Sequence, residues 1–335
     1  MPEITSENRH FRVGYALPAT KTEAFMVESF ITYAKKRGIE FIPIIPSKPL
    51  IEQGPFDCII HKLYGDQWNL NLQTFTTGHP NATVIDPPSA INRLHNRITM
   101  LEPVTRLNIP KLSIPTQLLV DQVSETVKYL GVTKDLMFPV IAKPLLADGT
   151  NNAHDISLVV NHEGLTKVLA RDPPMVLQQF VNHGGTMFKV YVAGEYAECV
   201  KRSSLPDVSN ETIEKMTSES GGVMIFSKIS SSVINGDDGW SDNGSGEKVK
   251  MPSLEFVDEV AKGLRQALGL HLFNFDMIRD DKRDGYLIVD INYFPGYEKL
   301  PFFESVMTDF FIKIKKSQEL KKMMEENIEV DNLET

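Results

Sequence analysis

The stretch of sequence that decides the fold is residues 276–296, which read DMIRDDKRDGYLIVDINYFPG. Two apolar runs, 272–278 and 286–291, flank the segment DDKRDG, which is typical of a hairpin turn. Asp276 interrupts the first run and Asp290 interrupts the second. A carboxylate within a strand of Leu, Ile, Val and Phe is costly unless a partner offsets its desolvation. The pattern therefore predicts a hairpin that brings these two carboxylates close together.

The same hairpin indicates a metal site. Asn292 lies two residues beyond Asp290 and therefore on the same face of an extended strand. Two carboxylates and an amide oxygen at one end of a sheet form the hard, all-oxygen donor set that suits Mg²⁺. On spacing alone a second reading stays open, in which Asp276, Asp290 and Asn292 are strand-end residues that make turn hydrogen bonds.

Length and cysteine content limit the class of protein. A chain of 335 residues exceeds the usual size of one hydrophobic core, so two or three lobes are expected. No apolar run approaches the ~20 residues that a membrane span needs, and the polar first residues do not resemble a signal peptide. Cys58 and Cys199 both lie in apolar settings, which indicates a reducing compartment, and we expect a cytoplasmic protein.

The charge balance bears on the partners of the protein. The net charge of −9 argues against a general nucleic-acid binder. It still allows an anionic small substrate, because a local cluster of basic residues can oppose the charge of the whole molecule.

The first 102 residues predict a parallel α/β lobe. Three strand-like runs and a segment of helical spacing alternate there: 12–17, 23–36, 41–45 and 58–63. A strand–helix–strand order implies right-handed crossovers. Ligands of such sheets lie at the carboxyl ends of the strands, where Lys21 and the pair His61-Lys62 are expected. The other reading of Lys62 is a solvated surface lysine.

Two further lobes are expected, a central one at 103–202 and a carboxyl-terminal one at 203–335 that carries the metal site. Lys143 lies near the end of a central-lobe strand and leads into a small polar loop that begins around Asp148. Such loops can place backbone N–H groups over phosphates, although a loop with one glycine is weak evidence. Residues 203–249 are rich in Ser, Gly, Asn and Asp, which predicts a mobile loop able to act as a lid.

The order of these features resembles the ATP-grasp fold, in which two α+β lobes hold ATP between antiparallel sheets. The resemblance implies mixed α/β and α+β architecture, with a parallel amino-terminal lobe followed by two lobes that clamp ATP. Five segments resemble the inositol-tetrakisphosphate 1-kinase / inositol 1,3,4-trisphosphate 5/6-kinase family: IIHKL at 59–63, ADGT at 147–150, QQFVNH at 178–183, FKVYV at 188–192 and DINYFPGYE at 290–298. The likeness runs from about residue 13 to residue 303.

The family resemblance implies roles for individual residues. The nucleotide would be met by Arg97, Lys143, Gln178, Gln179, Phe180, Val181, Lys189, Ser204 and Ser227. The inositol phosphate would be met by Lys21, Lys62, Asp148, His154, Lys189, Asn292 and Gly296. Asp276, Asp290 and Asn292 would hold Mg²⁺, with two ions expected. The residues expected to act in catalysis are Lys189, Arg202 and Asp290.

These roles suit phosphoryl transfer, which depends on charge neutralisation and in-line positioning more than on covalent chemistry. Two features depart from the family pattern. Asp148 stands where some family members carry His, and the cleft motifs contain no evident catalytic base, which a loose transition state does not require.

The resemblance implies an ATP-dependent kinase that phosphorylates inositol 3,4,5,6-tetrakisphosphate at position 1 and inositol 1,3,4-trisphosphate at position 5 or 6. We expect a monomer that binds neither nucleic acid nor membranes. Two alternatives stay open. A carboxylate–amine ligase of the ATP-grasp fold needs fewer bases than the pair His61-Lys62 supplies, and a non-catalytic sensor has no need of the carboxylates Asp276 and Asp290.

Overall fold

The computed structural model of the protein describes residues 9–121, 136–148, 155–171, 174–226, 249–280 and 282–333, with side chains as far as residue 325. The described strands form three sheets: one is parallel, one is antiparallel, and one is antiparallel except for a single parallel pair. This mixed architecture confirms the predicted fold class. In the described ranges no helix has the length and apolarity to cross a membrane.

The amino-terminal lobe is a four-stranded parallel sheet with helices packed on it. Its strands are β1 (Phe11–Ala16), β2 (Ile39–Pro43), β3 (Cys58–His61) and β4 (Thr83–Ile85), in the order β2-β1-β3-β4. Its helices are α1 (Ala19–Phe25), α2 (Glu28–Lys36), α3 (Asp66–Gly78) and α4 (Pro88–Arg93). One helix was predicted over 23–36, but extended backbone at Val27 separates α1 from α2. The break lets Phe25 and Phe30 contact each other and Phe303 in the core.

The second sheet has the order β12-β8-β7-β9-β6. Its strands are β6 (Gln117–Val120), β7 (Val140–Pro144), β8 (Ile156–Val159), β9 (Met175–Gln179) and β12 (Val223–Phe226). Helix α5 (His162–Leu169) begins at Asn161, whose side chain accepts a hydrogen bond from the backbone of Gly164. This sheet places Lys143 near the end of β7, as the sequence predicts.

The predicted mobile loop at 203–249 is wrong for residues 210–226. These form helix α6 (Asn210–Ser220) and the edge strand β12, which pairs with β8. Ser209 caps the helix and Gly221 ends it in the left-handed conformation that favours glycine. The prediction failed because it relied on the polar composition of the segment, although a few apolar side chains, such as Met216, pack into a core. The remainder of the predicted loop, 227–248, lies outside the described residues.

The third sheet has the order β11-β10-β13-β14-β5. Its strands are β5 (Leu112–Ser113), β10 (Thr186–Ala193), β11 (Tyr196–Ser203), β13 (Leu272–Asp280) and β14 (Gly285–Tyr293). Helices α7 (Leu254–Leu268) and α8 (Phe303–Leu333) complete the lobe. Short 3₁₀ segments cover Leu50–Glu52, Glu102–Arg106 and Tyr297–Lys299. Because β10 pairs with β13 as well as with β11, this sheet crosses the boundary predicted at 202/203.

The hairpin of β13 and β14 has the register that the sequence predicts. Asp276 lies opposite Asp290 and Asn274 lies opposite Asn292, with an irregularity in the ladder after Asp276. Helix α7 packs on this sheet through buried residues such as Val257, and the ring of Phe256 lies 4.9 Å from that of Tyr286 on β14.

A buried carboxylate attaches the parallel lobe to the third sheet. Asp86, fully buried after β4, accepts hydrogen bonds from the backbone N–H of His271 (2.9 Å) and Leu272 (3.0 Å) at the start of β13. The Tyr293 hydroxyl donates to the carbonyl of His61 at 2.9 Å. These contacts fix the strand ends of the first sheet beside the end of β14, where the candidate site lies.

Candidate active site

A cavity of about 600 Å³ lies between the second and third sheets and reaches the end of the parallel lobe. Most of the residues proposed from the sequence line it: Lys62, Arg97, Lys143, Asp148, Gln178, Gln179, Phe180, Val181, Ser204, Asp276, Asp290 and Asn292. Residues far apart in the sequence therefore meet at one place.

One part of the cavity wall is apolar and suits a flat ring system. Its apolar residues come from both sheets: Ile141, Ile156, Phe180, Met187, Ile278 and Val289. At its edge Gln178 is buried, and its side-chain nitrogen has no hydrogen-bond partner in the described part of the chain. An unsatisfied buried donor is costly, so a ligand acceptor at this point would be stabilising.

The segment that follows β9 is held by His183. Its Nδ1–H donates to the carbonyl of Val181 at 2.6 Å, and its Nε2 accepts from the hydroxyl of Ser204 at 2.7 Å. Burial lowers the pKa of His183, which is consistent with this neutral form. His183 ends a motif quoted from the sequence, yet sequence reasoning gave it no role.

Two cations stand between the apolar wall and the hairpin. Lys143 Nζ donates to the carbonyl of Val289 at 3.2 Å, and a guanidinium nitrogen of Arg97 lies 3.2 Å from Asp290 Oδ1. Burial lowers the pKa of Lys143 to about 8, and the nearby Arg97 acts in the same direction, while Asp290 and Asp276 oppose the change. An added anion would raise this pKa, so the pair is suited to phosphate groups.

The two carboxylates of the hairpin differ in exposure, since Asp276 is buried and the side chain of Asp290 is 24% exposed. Burial raises the pKa of Asp276, with Lys189 opposing and Asp290 reinforcing the change. Lys189 Nζ lies 2.7 Å from Asp276 Oδ1 but off the direction of a hydrogen bond, and that oxygen has no hydrogen-bond partner among the described residues. Asp290 Oδ2 accepts from the amide nitrogen of Asn292 at 2.9 Å.

This donor set fits Mg²⁺. A buried carboxylate oxygen without a hydrogen bond, facing a second carboxylate, is the environment that a divalent cation relieves. The ligands available are Asp276, Asp290 and the amide of Asn292, since the described ranges contain no cluster of three His, Cys, Asp or Glu residues. As oriented here, Asn292 turns its nitrogen towards Asp290, so its oxygen would reach a cation only after rotation of the amide.

The two lysines of the parallel lobe meet the turn after β14. Lys62 Nζ donates to the carbonyl of Phe294 at 3.0 Å, and Lys21 Nζ donates to that of Pro295. Burial lowers the pKa of each lysine to about 8. The neighbouring His61 is not at the cavity: it is fully buried, Trp68 donates to its Nδ1, and its Nε2–H donates to a backbone carbonyl.

Some predicted residues lie elsewhere. Lys21, Lys189, Arg202 and Gly296 are described but do not line the cavity. Arg202 lies on β11 opposite Met187, and Lys189 is turned to Asp276. The roles predicted for His154 and Ser227 fall outside the described residues.

Sequence reasoning missed Tyr64 and His95, which both line the cavity. Their rings are nearly perpendicular, with centroids 4.6 Å apart. Burial lowers the pKa of His95, and the carboxylate of Asp148 opposes that change. Their spacing from predicted site residues could have indicated them, because Tyr64 follows Lys62 by two residues and His95 precedes Arg97 by two.

Comparisons with known proteins give the family. A profile described as the inositol 1,3,4-trisphosphate 5/6-kinase ATP-grasp domain matches residues 108–313, and one for the pre-ATP-grasp domain of the same kinases matches residues 12–91. The chain is 47% identical over 314 residues to inositol-tetrakisphosphate 1-kinase 5 of Oryza sativa subsp. japonica, covering 91% of this chain and 90% of the relative. It is also 47% identical over 314 residues to inositol-tetrakisphosphate 1-kinase 1 of Arabidopsis thaliana, covering 91% and 96%.

Solved structures share the fold at low identity. D-alanine–D-alanine ligase from Bacillus anthracis superimposes with a TM-score of 0.57 at 12% identity, covering 93% of this chain and 99% of the ligase. That likeness shows the ATP-grasp fold alone, whereas the two relatives at 47% identity are both named inositol-tetrakisphosphate 1-kinases. The chain therefore belongs to the inositol 1,3,4-trisphosphate 5/6-kinase family and is an ATP-dependent inositol phosphate kinase.

Proposed function

We propose that this kinase transfers the terminal phosphoryl group of ATP to position 1 of inositol 3,4,5,6-tetrakisphosphate and to position 5 or 6 of inositol 1,3,4-trisphosphate. The observation that carries the proposal is the arrangement of charged residues at the end of β14. Asp290 and Asn292 line the cavity there, and the carbonyls of Phe294 and Pro295, just after the strand, accept hydrogen bonds from Lys62 and Lys21 of the parallel lobe. A cation pair beside a carboxylate pair suits an anionic ring that must approach a nucleotide.

The nucleotide occupies the apolar part of the cavity in this proposal. The purine lies between the two sheets near Phe180, with the Gln178 side chain as an available donor. Lys143 and Arg97 then lie where the phosphates leave the apolar wall. Their charges offset those of the phosphates and orient the terminal group towards the end of β14.

Asp276, Asp290 and Asn292 would hold Mg²⁺, and we propose two ions. When bound, Mg²⁺ supplies neutralisation of the charge on the transferring phosphoryl group. The chain's own contribution is to hold the ligands: Lys189 lies against Asp276, and Arg97 lies against Asp290. The charge of Lys189 opposes the rise that burial causes in the pKa of Asp276.

The acceptor lies on the side of the parallel lobe in this proposal. Lys62, Tyr64, His95 and Asp148 all line the cavity there, and Asp148 is close enough to His95 to affect its pKa. Ring phosphates are met by lysine, and a ring hydroxyl is left facing the nucleotide. We propose that the protein acts as a monomer, which light scattering of the purified chain tests directly.

The test of the function is release of ADP by the purified protein with inositol tris-, tetrakis-, pentakis- and hexakisphosphates, with product positions assigned by NMR. We expect turnover with the tetrakisphosphate and trisphosphate named above. Pairs of amino acids serve as the control acceptors. ADP release with amino acids alone would support a carboxylate–amine ligase, and binding of inositol phosphates without ADP release would support a sensor.

A further inference from the structure

The turn after β14 contains a carboxylate that the proposed mechanism does not use. Glu298 lies in the 3₁₀ segment Tyr297–Lys299 and folds back over Gly296. A Cβ built on Gly296 would lie 2.6 Å from Glu298 Oε1, closer than such atoms approach. Gly296 itself has a φ of −77°, which any L-residue adopts, so its backbone does not require glycine. What glycine provides here is the space that the Glu298 carboxylate occupies.

Glu298 faces Lys21. Its Oε2 lies 3.7 Å from Lys21 Nζ, an ion pair beyond hydrogen-bond length, and this buried oxygen has no hydrogen-bond partner in the ranges that the structure describes. The side chain of Lys21 is only 12% exposed and lies over the rings of Phe294 (4.7 Å to the centroid) and Phe25 (5.2 Å). The lysine is therefore enclosed by aromatic rings, one carbonyl and one carboxylate.

Glu298 is the charge that favours the ammonium form of Lys21. The pKa of Lys21 is lowered to about 8; burial is the largest cause, and the cations Lys62 and Lys299 act in the same direction. Glu298 acts against all three, and it likewise opposes the lowering of the pKa of Lys62. Without this carboxylate the lysine would lose its proton at a lower pH.

We propose that Glu298 is a positioning residue for the inositol phosphate site, which holds Lys21 charged and directed along the turn, and that Gly296 acts by leaving room for it. The inference rests on the proposed function in one respect, namely that Lys21 meets the substrate. It gives Gly296 a different role from the direct substrate contact predicted from the sequence. The side chains involved come from α1 and from the turn after β14, so the positioning also joins two lobes.

The first test is Glu298→Gln, which keeps the size of the side chain and removes its charge. We expect the KM for the tetrakisphosphate to rise by about tenfold between about pH 7 and 8, with the KM for ATP and kcat little changed. The rise should shrink near pH 6, where Lys21 is protonated in both proteins, and near pH 10, where it is neutral in both. Glu304→Gln is the matched control, since Glu304 pairs with Ser29 rather than with a lysine.

The second test is a double-mutant cycle with Gly296→Ala. The new methyl group would push away the end of a flexible side chain, so we expect a folded protein with the same KM defect as Glu298→Gln. The double variant should then be no worse than either single variant, because both changes remove the same contact. Effects that multiply would mean that Gly296 contacts the substrate directly, and that part of the proposal would be overturned.

A third measurement needs no substrate. Lys21 can be acylated with an amine-reactive reagent, and mass spectrometry measures the rate at each pH. The pH dependence of this rate reports the pKa of Lys21, which should fall in Glu298→Gln. An unchanged pKa, or an unchanged KM, overturns the proposal. Lys21→Met then separates the causes: if it raises the KM, only the role of Glu298 has failed, and if it does not, the assignment of Lys21 to the substrate has failed.

Discussion

Two charged clusters near the end of β14 balance their charges in opposite ways: one places cations around carboxylates, and the other places a carboxylate beside lysines. The carboxylate cluster consists of Asp276 and Asp290 with Lys143, Lys189 and Arg97 around them. Here the buried Asp276 and the partly exposed Asp290 are accompanied by three cations. Burial raises the pKa of Asp276, and Lys189 and Lys143 oppose that rise. The cluster is ready for a divalent cation and a polyanion together.

The lysine cluster consists of Lys21, Lys62 and Glu298, with the carbonyls of Phe294 and Pro295. Here two buried bases are balanced by one acid and by backbone dipoles. In each cluster the named cations outnumber the named carboxylates by one. A protein of net charge −9 can therefore still have two local sites of net positive charge, one for each anionic substrate.

The two clusters depend on different parts of the fold. Most of the carboxylate cluster comes from adjacent strands of one sheet, whose register places Asp276 beside Asp290. The lysine cluster exists only when the parallel lobe docks on the turn after β14. Contacts such as that of Tyr293 with the carbonyl of His61 maintain this docking. Damage to the first cluster should therefore stop the chemistry, while damage to the second should weaken binding.

The largest effect is expected from Asp290→Ala. Loss of this carboxylate removes a proposed Mg²⁺ ligand and the partner of Arg97, so we expect kcat to fall by about 10²–10³-fold. The measurement is steady-state ADP release at saturating Mg²⁺. Asp284→Asn on the exposed hairpin turn is the control and should retain activity. A kcat within a few-fold of the unmodified protein would contradict the metal assignment.

A smaller and more selective effect is expected from Lys62→Ala. The KM for the inositol phosphate should rise by about 10- to 100-fold, the size of one charge-assisted contact, while the KM for ATP changes little. Lys143→Ala is the matched variant and should give the reverse selectivity, because Lys143 lies on the nucleotide side. Equal effects of Lys62→Ala on both KM values would remove Lys62 from the ring-binding site.

Mg²⁺ should stabilise the protein without any substrate. Because the pKa of Asp276 is raised, ionising it in the folded state costs stability as pH rises above the ordinary carboxyl value, and a bound cation offsets that cost. We expect saturating Mg²⁺ to raise Tm by about 3 °C at neutral pH. The rise should shrink as the pH falls and protons compete with the cation. Calorimetry with and without Mg²⁺ measures it, and an equal rise in Asp290→Asn would place the ion elsewhere.

The carboxylate cluster could be predicted from sequence because strand periodicity and turn chemistry act locally. Asp276 and Asp290 stand out as charges in apolar runs, and the turn between them fixes their pairing. The lysine cluster could be predicted only in part. Lys21 and Glu298 come from opposite ends of the chain, and no local pattern records that Gly296 leaves room for a carboxylate.

Two predictions from the sequence were wrong because tertiary packing decided the outcome. His61 stands at a strand end, as a ligand-binding residue would, but its ring turns inward to Trp68 and the carbonyl of Asp86. Period-two alternation distinguishes the faces of a strand, yet it does not say which side is cavity and which is core. Residues 210–220 have loop-like composition, but Ile213 and Met216 have the spacing of a helix and pack into a core.

The smallest effect is expected at Asp148, on the margin between the two clusters. Asp148 lines the cavity, and its carboxylate opposes the lowering of the pKa of His95. A carboxylate facing phosphates is unfavourable unless it accepts hydrogen bonds from backbone amides or from a ring hydroxyl. We expect Asp148 to favour rings with a free hydroxyl at the nearby position and to disfavour rings with a phosphate there.

Two variants test this discrimination. Asp148→Asn should preserve activity and reduce the preference for a tetrakisphosphate over a hexakisphosphate by about threefold, since it removes repulsion and keeps the shape. Asp148→His should move the preference further towards the more phosphorylated ring. The measurement is the ratio of kcat/KM for the two substrates, with the pKa of His95 followed by NMR as a check that the charge has been removed. If the pKa of His95 falls in Asp148→Asn but the ratio moves in neither variant, Asp148 contributes to the local charge and the loop but not to the choice of substrate.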